Sequence, residues 1–302
     1  MFKLRYGYLI SGIITGSILL LSFFTSLPDG KLHIIFCNIG QGDAAYIKFP
    51  DGRDMIIDGG PDEKIIGCLS RHMPFWDRHI DIVALSHPQK DHLQGLISVF
   101  ARYHVDYFLK SDIGSGSDGY RALLRGIADR RVSVKQVTRG ERISIGSGQI
   151  SVIWPSEDQI SRMHSSSEMS DTGVSGNILG SSSDANLNDG SLVFWLRYGT
   201  FDALFPGDAD QHVEHYYTGE ALIGGDVEVL KVPHHGSKTG MTQAFIDWLH
   251  PKIAVISVGK NSYGHPSKEA IDMLQNIGSV IHRTDIEGDI EVVSDGTGWI
   301  IR

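Results

Sequence analysis

The chain alternates short apolar runs with stretches in which apolar residues recur every three or four positions. Runs such as 32–37, 80–85 and 253–258 are apolar and bounded by Gly, Pro or polar residues, a pattern that predicts buried strands. Helical periodicity appears in segments such as 93–100. The pattern predicts an α/β fold in which two mixed sheets pack together between outer helices, in one domain over residues 29–302.

The first 28 residues follow a different pattern. The segment 6–27 is uncharged and follows Lys3 and Arg5. A helix of this length, at ~1.5 Å per residue, would cross a hydrocarbon core of about 30 Å. The sequence therefore predicts a transmembrane anchor within residues 1–28, with a cleaved signal peptide as the alternative. Because the basic residues precede the anchor, we expect a single-pass plasma-membrane protein whose remaining domain is extracytoplasmic.

The segment 156–191 is rich in Ser, Gly, Asn and Asp and shows no apolar period. This composition predicts a mobile loop. Two interpretations remain open: a lid over a functional site and a solvated insertion.

Composition limits the class of protein. Only 2 Cys are present, so a disulfide framework and a thiolate zinc site are excluded. Cys37 and Cys68 lie in apolar patterns and are interpreted as buried small side chains without a redox role. The net charge of −9 argues against a protein that coats nucleic acid over its whole surface. A basic strip at 121–142 could meet a polyanion, although a solvated helix face is the alternative.

Several predicted strands end in His or Asp next to Gly or Pro. Strand ends hold side chains rigidly, and His with Asp is a ligand set that suits Zn²⁺ or Mn²⁺. The sequence therefore predicts a dinuclear hydrolytic metal site built at strand ends. The residues in question are His87, Asp91, His92, Asp208, His235 and His265.

These residues carry a resemblance to a known family. The run His87 to His92, followed by Asp208 and His235, resembles the His-x-His-x-Asp-His signature and later ligands of the metallo-β-lactamase fold. Within that fold, residues 31–297 resemble the extracellular C-terminal domain of the ComEC-type DNA-uptake proteins. The blocks that carry this second resemblance are Gly40–Ala44, Ile57–Gly60, Asn188–Val193, Lys231–Thr239 and Tyr263–Pro266. The resemblance implies an αββα sandwich.

The resemblance also implies a centre for one or two divalent ions, Zn²⁺ or Mn²⁺. It assigns His87 to a first metal site, Asp91, His92 and His235 to a second, and Asp208 to a bridge between them. Asp189, or else Asn188, is the hypothesis for a missing ligand of the first site.

The remaining roles follow from the same resemblance. Asp91 or Asp208 is expected to orient water, and His265 to act as an acid or a phosphate contact. Asp58 is expected to fix the fold by hydrogen bonds. Independently of the resemblance, Lys231 and Lys238 flank the histidine pair and are expected at the surface, either as phosphate contacts or as ordinary surface lysines. The expected substrate contacts are Gln41, Asp43, His234, Ser237 and Lys238.

Two departures from the family pattern weaken the expected site. Gln89 stands where the family has His or Asp, and Lys90 adds a positive charge beside Asp91. Asn38 replaces an Asp before the Gly-Gln-Gly-Asp turn. We therefore expect the first metal site to be weak or empty.

The leading functional hypothesis is an extracytoplasmic metal-dependent phosphodiesterase or nuclease, acting on single-stranded DNA in competence-related DNA uptake. It would work beside a separate DNA-uptake channel or independently of one. The alternatives are a hydrolase of another envelope or small-molecule ester and a catalytically impaired DNA-binding module. The oligomeric state is left open by the sequence.

Overall fold

The computed structural model describes residues 6–170, 184–218 and 226–302 of the chain. The strands, in chain order, are β1 (Leu32–Phe36), β2 (Ala45–Lys48), β3 (Asp54–Ile57), β4 (His79–Ala84), β5 (His104–Lys110), β6 (Ser133–Gln136), β7 (Arg142–Ile145), β8 (Gly148–Trp154), β9 (Val193–Tyr198), β10 (Phe201–Phe205), β11 (Val229–Lys231), β12 (Ile253–Ile256), β13 (Val280–Arg283), β14 (Ile290–Ser294) and β15 (Trp299–Ile301). The helices are α1 (Tyr6–Ser26), α2 (Lys64–His72), α3 (Lys90–Arg102), α4 (Asp118–Asp129), α5 (Glu157–Ser170), α6 (Asp184–Asp189), α7 (Gln211–Tyr217), α8 (Gln243–Leu249), α9 (Lys268–Asn276) and α10 (Thr284–Glu287). A 3₁₀ turn covers Pro233–Gly236.

The strands form two mixed sheets. One sheet has eight strands in the order β15-β14-β1-β2-β3-β4-β5-β6, and the other has seven in the order β13-β12-β11-β10-β9-β8-β7. The strands from β3 to β6 run parallel, as do those from β10 to β13. Carboxyl ends of neighbouring parallel strands meet at one edge of a sheet, where side chains from distant parts of the chain can converge.

The core lies in three layers, and β1 shows how one strand serves two of them. Ile34 and Phe36 face the layer between the sheets, where the Phe36 ring stacks on Phe205 of the other sheet at 5.9 Å. Ile35 and Cys37 face a second layer, covered by α2, α3 and α4. Because β1 is covered on both faces, its residues are apolar except for the half-buried His33.

A third apolar layer covers the outer face of the second sheet and is closed by α7, α8 and α9. Side chains cap several of these helices: the Ser117, Thr242 and Ser267 hydroxyls accept hydrogen bonds from the first turns of α4, α8 and α9. The predicted α/β sandwich of two packed mixed sheets between outer helices is confirmed.

Cys37 and Cys68 are fully buried, as predicted, but they form a disulfide bond with a Cα–Cα distance of 5.8 Å. The interpretation of two unpaired apolar side chains is therefore wrong. The bond joins the end of β1 to α2, residues 31 positions apart. Only the packing of α2 against the sheet brings the two sulfurs together, so their apolar surroundings in the sequence did not reveal the pair.

We expect Cys68→Ala to lower the free energy of unfolding by about 3 kcal/mol, because it frees a closed loop whose entropy the bond restricts. The measurement is urea unfolding of the wild type and the variant, each with and without a thiol reductant. Reductant should move the wild-type midpoint towards that of the variant and leave the variant unchanged. A wild-type midpoint that matches the variant under oxidising conditions would contradict the bond.

The N-terminal segment forms α1. Among the residues that the structure describes, no helix combines the length and the apolar character needed to cross a membrane. Lys3 and Arg5, on which the predicted orientation depends, lie outside the described residues. The membrane anchor predicted within residues 1–28 is not confirmed.

The loop predicted for 156–191 is wrong where the chain forms α5 and α6. Ile160 and Met163, three positions apart on α5, pack with Leu187 and Ile113 into a small apolar cluster. This spacing is a helical signal that the serine-rich composition concealed. Residues 171–183 of the predicted loop lie outside the described part of the chain.

Candidate metal centre

Five polar side chains from separate strand ends converge between the two sheets. Asp58 follows β3, His87 follows β4, and His92 lies in the first turn of α3. Asp208 follows β10 and His235 follows β11, on the opposite sheet. Each of the five is at most 1 % exposed. Buried imidazoles and carboxylates in such number require either mutual pairing or a bound cation.

Asp208 lies at the middle of this group. Its Oδ1 is 3.3 Å from His92 Nε2, and its Oδ2 is 3.5 Å from His235 Nε2. The same His235 Nε2 is 3.5 Å from Asp91 Oδ2. The four residues that the resemblance assigns to the second metal site are thus within contact of one another.

Hydrogen bonds on the far side of each imidazole set its orientation. The Asp58 carboxylate accepts hydrogen bonds from the Ser86 backbone N–H at 2.7 Å and the Ser86 hydroxyl at 2.6 Å, and lies 2.9 Å from His92 Nδ1. His235 Nδ1 donates to the Ser257 carbonyl at 3.0 Å. Both Nε2 atoms therefore face Asp208, an arrangement typical of ligating histidines. The hydrogen-bonding role predicted for Asp58 is confirmed.

The turn that carries His235 holds an unusual backbone conformation. His234 and His235 have φ values of 47° and 53°, in the left-handed region that residues other than glycine seldom adopt. Such strain is found mainly where the surrounding structure fixes a functional side chain.

Polar atoms without hydrogen bonds test whether these residues fit a metal ion. Within the described part of the chain, His87 Nε2, His92 Nε2, His235 Nε2 and Asp208 Oδ1 are buried and make no hydrogen bond. Buried polar atoms are normally satisfied, and imidazole nitrogen with carboxylate oxygen is a donor set for Zn²⁺ or Mn²⁺. The donor atoms of His92, Asp208, His235 and Asp43 lie within 4.8 Å of one another. The residues fit a divalent cation.

The charges in the cluster stabilise one another. Burial opposes ionisation of Asp208, but the neighbouring His235 and His92 outweigh it and hold the pKa of Asp208 well below its ordinary value. Burial, together with the charge of His92, lowers the pKa of His87 to about 3. His87 is therefore neutral near pH 7, which is the form that can bind a metal.

Lys231 is buried in the same cluster, 4 % exposed, and the prediction of a surface lysine is wrong. Its ammonium forms an ion pair with Asp43, donates to the Gly207 carbonyl at 3.1 Å and lies 3.8 Å from Asp208 Oδ1. It lies on β11, whose side chains are buried on both faces. The centre thus contains one fixed positive charge supplied by the chain itself.

Asp43 lies deeper than a substrate contact would. Its Oδ1 is 3.2 Å from His235 Nδ1, and the Asp43 side chain is 8 % exposed. The turn before it explains this position, because Gly42 has a φ of 142° and a Cβ there would lie 2.3 Å from the Asp91 carbonyl oxygen. Glycine lets the turn dock on the start of α3, so Asp43 reaches the metal cluster. The Gly-Gln-Gly-Asp block marks the turn in the sequence. The sequence alone does not show that this turn places Asp43 in the metal cluster.

The cluster opens into a cleft of about 1050 Å³. Among the predicted substrate contacts, Gln41 and His234 line this cleft. Ser237 and Lys238 do not belong to the described lining: the Ser237 hydroxyl is 3.3 Å from that of Thr239, and Lys238 pairs with Glu269 at 3.3 Å. His265, Asp91 and Asp208 line the cleft as well.

Of the two candidates for the missing first-site ligand, Asn188 lines the cleft, with its buried Oδ1 making no hydrogen bond among the described residues. Asp189 is outside that lining, and burial, together with the charge of Asp210 and against the opposing effect of His212, raises the pKa of its carboxyl group. Position in the cleft lining therefore favours Asn188 over Asp189 as the candidate.

The departures from the family pattern affect the first site unequally. Gln89 lines the cleft two positions after His87. Asn38 is exposed, and its backbone N–H donates to Asp289 at 2.9 Å, so this replacement lies apart from the cluster. The resemblance thus implies neutral amides, Gln89 and Asn188, beside His87 at a first site, and two carboxylates and two imidazoles at a second.

Relatives of the chain occur among competence proteins. It is 25 % identical over 308 residues to ComE operon protein 3 of Bacillus subtilis, which matches 94 % of this chain and 36 % of that protein. It is 32 % identical over 124 residues to competence protein ComA of Neisseria gonorrhoeae, 39 % of this chain and 18 % of that one. Recombination protein 2 of Haemophilus influenzae is 30 % identical over 106 residues, 35 % of this chain and 13 % of that one. The chain spans about a third or less of the length of these relatives. No protein-family model matches it.

Solved structures show the same fold. The metallo-β-lactamase fold protein YhfI of Bacillus subtilis aligns with a TM-score of 0.51 at 7 % identity, over 87 % of this chain and 100 % of that one. CmlA, a diiron β-hydroxylase of Streptomyces venezuelae, aligns with a TM-score of 0.51 at 15 % identity, over 88 % of this chain and 54 % of that one. Together with the sequence relatives, these structures identify the chain as a metallo-β-lactamase-fold protein that resembles the ComEC-type competence proteins.

Proposed function

We propose that the chain is a metal-dependent phosphodiesterase that cleaves single-stranded DNA outside the cytoplasm. The observation that carries the proposal is the buried His and Asp cluster with unsatisfied ligand atoms, of which Asp208 and His235 line a cleft open to solvent. The likeness to competence proteins supports DNA as the substrate. A role beside a separate DNA-uptake channel is part of the same proposal.

Asp91, His92, Asp208 and His235 would hold a divalent ion, with His87 beside them. When bound, such an ion lowers the pKa of water and neutralises the oxygens of a phosphodiester. Asp91 is the most exposed carboxylate of the cluster, with its side chain 32 % exposed. Burial opposes its ionisation, but a hydrogen bond to His235 and the charge of His92 lower the pKa of Asp91 below its ordinary value. An ionised Asp91 would accept a hydrogen bond from the attacking water and orient it.

His265 lies on the wall of the cleft, its ring 6.5 Å from that of His235. Burial and the charges of His234 and His235 lower the pKa of His265 to about 4. It is therefore neutral near pH 7 and suited to donate a hydrogen bond to a phosphate oxygen rather than to act as the acid. Of the two roles left open by the sequence, phosphate contact is the one we propose.

We expect His265→Ala to reduce kcat/KM for single-stranded DNA by about 10- to 100-fold while metal content is retained, because one hydrogen bond to a charged group contributes ~1.5–3 kcal/mol. The measurements are steady-state cleavage and elemental analysis of the variant and of His250→Ala, a control at the end of α8. Loss of the metal in the variant would contradict a role confined to phosphate contact.

The disulfide supports the extracytoplasmic part of the proposal. Disulfides persist in oxidising compartments and are rare in reducing cytoplasm. The Cys37–Cys68 bond lies in the core beneath α2. A domain that this bond stabilises is suited to an oxidising compartment outside the cytoplasm.

A second candidate is a hydrolase of another envelope or small-molecule phosphoester. The net charge of −9 favours it, because an acidic protein attracts DNA only locally. The basic strip at 121–142 adds little attraction for DNA, because two of its arginines already have partners. Arg121 pairs with Asp118 at 2.5 Å, and Arg130 donates to the Ala101 carbonyl at 2.5 Å.

The deciding experiment incubates the full chain with labelled single-stranded DNA and with an aryl phosphodiester, in Mn²⁺ and in Zn²⁺. Asp91→Ala is the inactive variant, and Asp272→Ala, on the exposed face of α9, is the matched control. DNA cleavage by the wild type and control but not by Asp91→Ala supports the proposal. Cleavage of the aryl ester alone would favour the second candidate. No cleavage of either, with metal bound, would contradict both.

A further inference from the structure

The loop after β12 presents an exposed aromatic ring to the cleft. Tyr263 is 75 % exposed, which exceeds the exposure of every other described aromatic side chain outside α1. It lines the cleft together with Lys260 and His265. Its ring centroid is 5.6 Å from that of His265, which in turn lies 6.5 Å from that of His235. The exposed ring is therefore two rings away from the metal cluster.

The loop that holds Tyr263 is fixed although the ring is exposed. Asn261 Oδ1 accepts hydrogen bonds from the backbone N–H groups of Tyr263 at 3.0 Å, Gly264 at 3.0 Å and His265 at 3.1 Å. Asn261 Nδ2 donates to the carbonyls of Gly259 and His265, each at 2.8 Å. The backbone beneath the ring is thus ordered before any ligand arrives, which reduces the entropy lost on binding.

The base of this loop is locked to the turn that carries Asp43. A Cβ on Gly259 would lie 2.4 Å from the Gly40 carbonyl carbon, so the two backbones are in direct contact. The Gly259 N–H also faces Gln41 Oε1 at 3.4 Å. The loop that carries Tyr263 is therefore packed directly on the turn that carries Asp43. Among the described residues, Tyr263 is the only Phe, Tyr or Trp that lines the cleft.

Two lysines line the same cleft as the Tyr263 ring. Lys260 lines the cleft from the loop itself, and Lys90 lines it from the start of α3. Neither lysine forms an ion pair within 6–170, 184–218 and 226–302, whereas Lys238 nearby is paired with Glu269. At about 1050 Å³ the cleft also exceeds the ~300–1,000 Å³ usual for small-molecule sites. Unpaired cations in a long cleft favour a polyanion.

We propose that Tyr263 is the platform on which a base of the single-stranded polynucleotide stacks, with Lys90 and Lys260 contacting the flanking phosphates. The inference rests on the proposed function and adds the element that selects single strands. A single strand offers its base faces to an aromatic ring, whereas a duplex hides them within its own stack. Because every base has such a face, the platform tolerates any sequence.

The test is fluorescence anisotropy of the full chain with two labelled oligonucleotides of equal length, an oligothymidylate and its abasic counterpart, with Ca²⁺ in place of Mn²⁺. Both carry the same phosphates, so any difference in affinity reports on the bases. The wild type should bind the oligothymidylate about 5- to 150-fold more tightly, the range that stacking of one base provides. Tyr263→Ala should remove that difference and Tyr263→Trp should preserve it.

The control is Tyr107→Ala, which removes another exposed tyrosine, on β5 and outside the described cleft lining. It should keep the wild-type preference. Equal wild-type affinity for the two oligonucleotides, a preference retained by Tyr263→Ala, or no binding to either oligonucleotide would overturn the inference. Cleavage in Mn²⁺ is scored separately, so absence of cleavage refutes the nuclease proposal while the anisotropy still decides the role of Tyr263.

Discussion

Asp208→Ala is expected to lose tight binding of divalent ions and at least about 10³-fold in kcat/KM for single-stranded DNA. Asp208 is 1 % exposed and contacts the Nε2 atoms of both His92 and His235. When the side chain is removed, water cannot supply the negative charge of its carboxylate. A bound ion stabilises the charge of the transition state by several kcal/mol, and losing that stabilisation lowers the rate by about this factor. Elemental analysis and steady-state cleavage of the same preparations measure both effects.

Asp208→Asn is the matched variant, because it keeps the size of the side chain and removes only its charge. We expect it to weaken metal binding as well, with circular dichroism unchanged from the wild type. An Asp208→Ala protein that retains both the wild-type metal content and wild-type cleavage would refute the assignment of Asp208 to the centre.

Lys231→Met is expected to lower the free energy of unfolding by about 3–5 kcal/mol in EDTA. The variant keeps the length of the side chain but leaves Asp43 without its paired cation, and removing one partner of a buried ion pair has an effect of this size. Urea unfolding in EDTA is the measurement, because a bound ion would supply the missing positive charge. Saturating Mn²⁺ should therefore reduce the difference between variant and wild type.

Lys252→Met provides the control for this experiment. Lys252 also forms an ion pair, with Glu228 at 2.8 Å, but its side chain is 51 % exposed. An exposed pair contributes less than about 1 kcal/mol. Adding Asp43→Asn to Lys231→Met should restore part of the lost stability, because it removes the uncompensated charge. Equal effects of the two lysine variants would show that Lys231 is not the buried counter-charge of the cluster.

Much of the site could be predicted because its residues lie where apolar strands end. The runs before His87, Asp208 and His235 are mostly apolar, which identifies them as buried strands with polar residues at their ends. The nearly continuous apolar run of β1 likewise indicates a strand buried on both faces. These features depend on local sequence, so one chain is sufficient to recognise them.

The features that were missed depend on contacts between distant segments. The Cys37–Cys68 bond requires α2 to pack on β1, and the burial of Lys231 requires Asp43 from the other sheet. Asn188 and Asp189 are neighbours in sequence, and only the turn of α6 decides which one faces the cleft. No local pattern encodes such distances, because each is set by how the two sheets close on each other.

The most direct test of the account is an anomalous difference map from a crystal of the Mn²⁺-loaded protein. We expect a peak between His92 Nε2, His235 Nε2 and the Asp208 carboxylate, with Asp91 within ligand distance and a weaker peak, or none, beside His87 and Gln89. A map from fully loaded crystals without a peak among His92, Asp208 and His235 would contradict it.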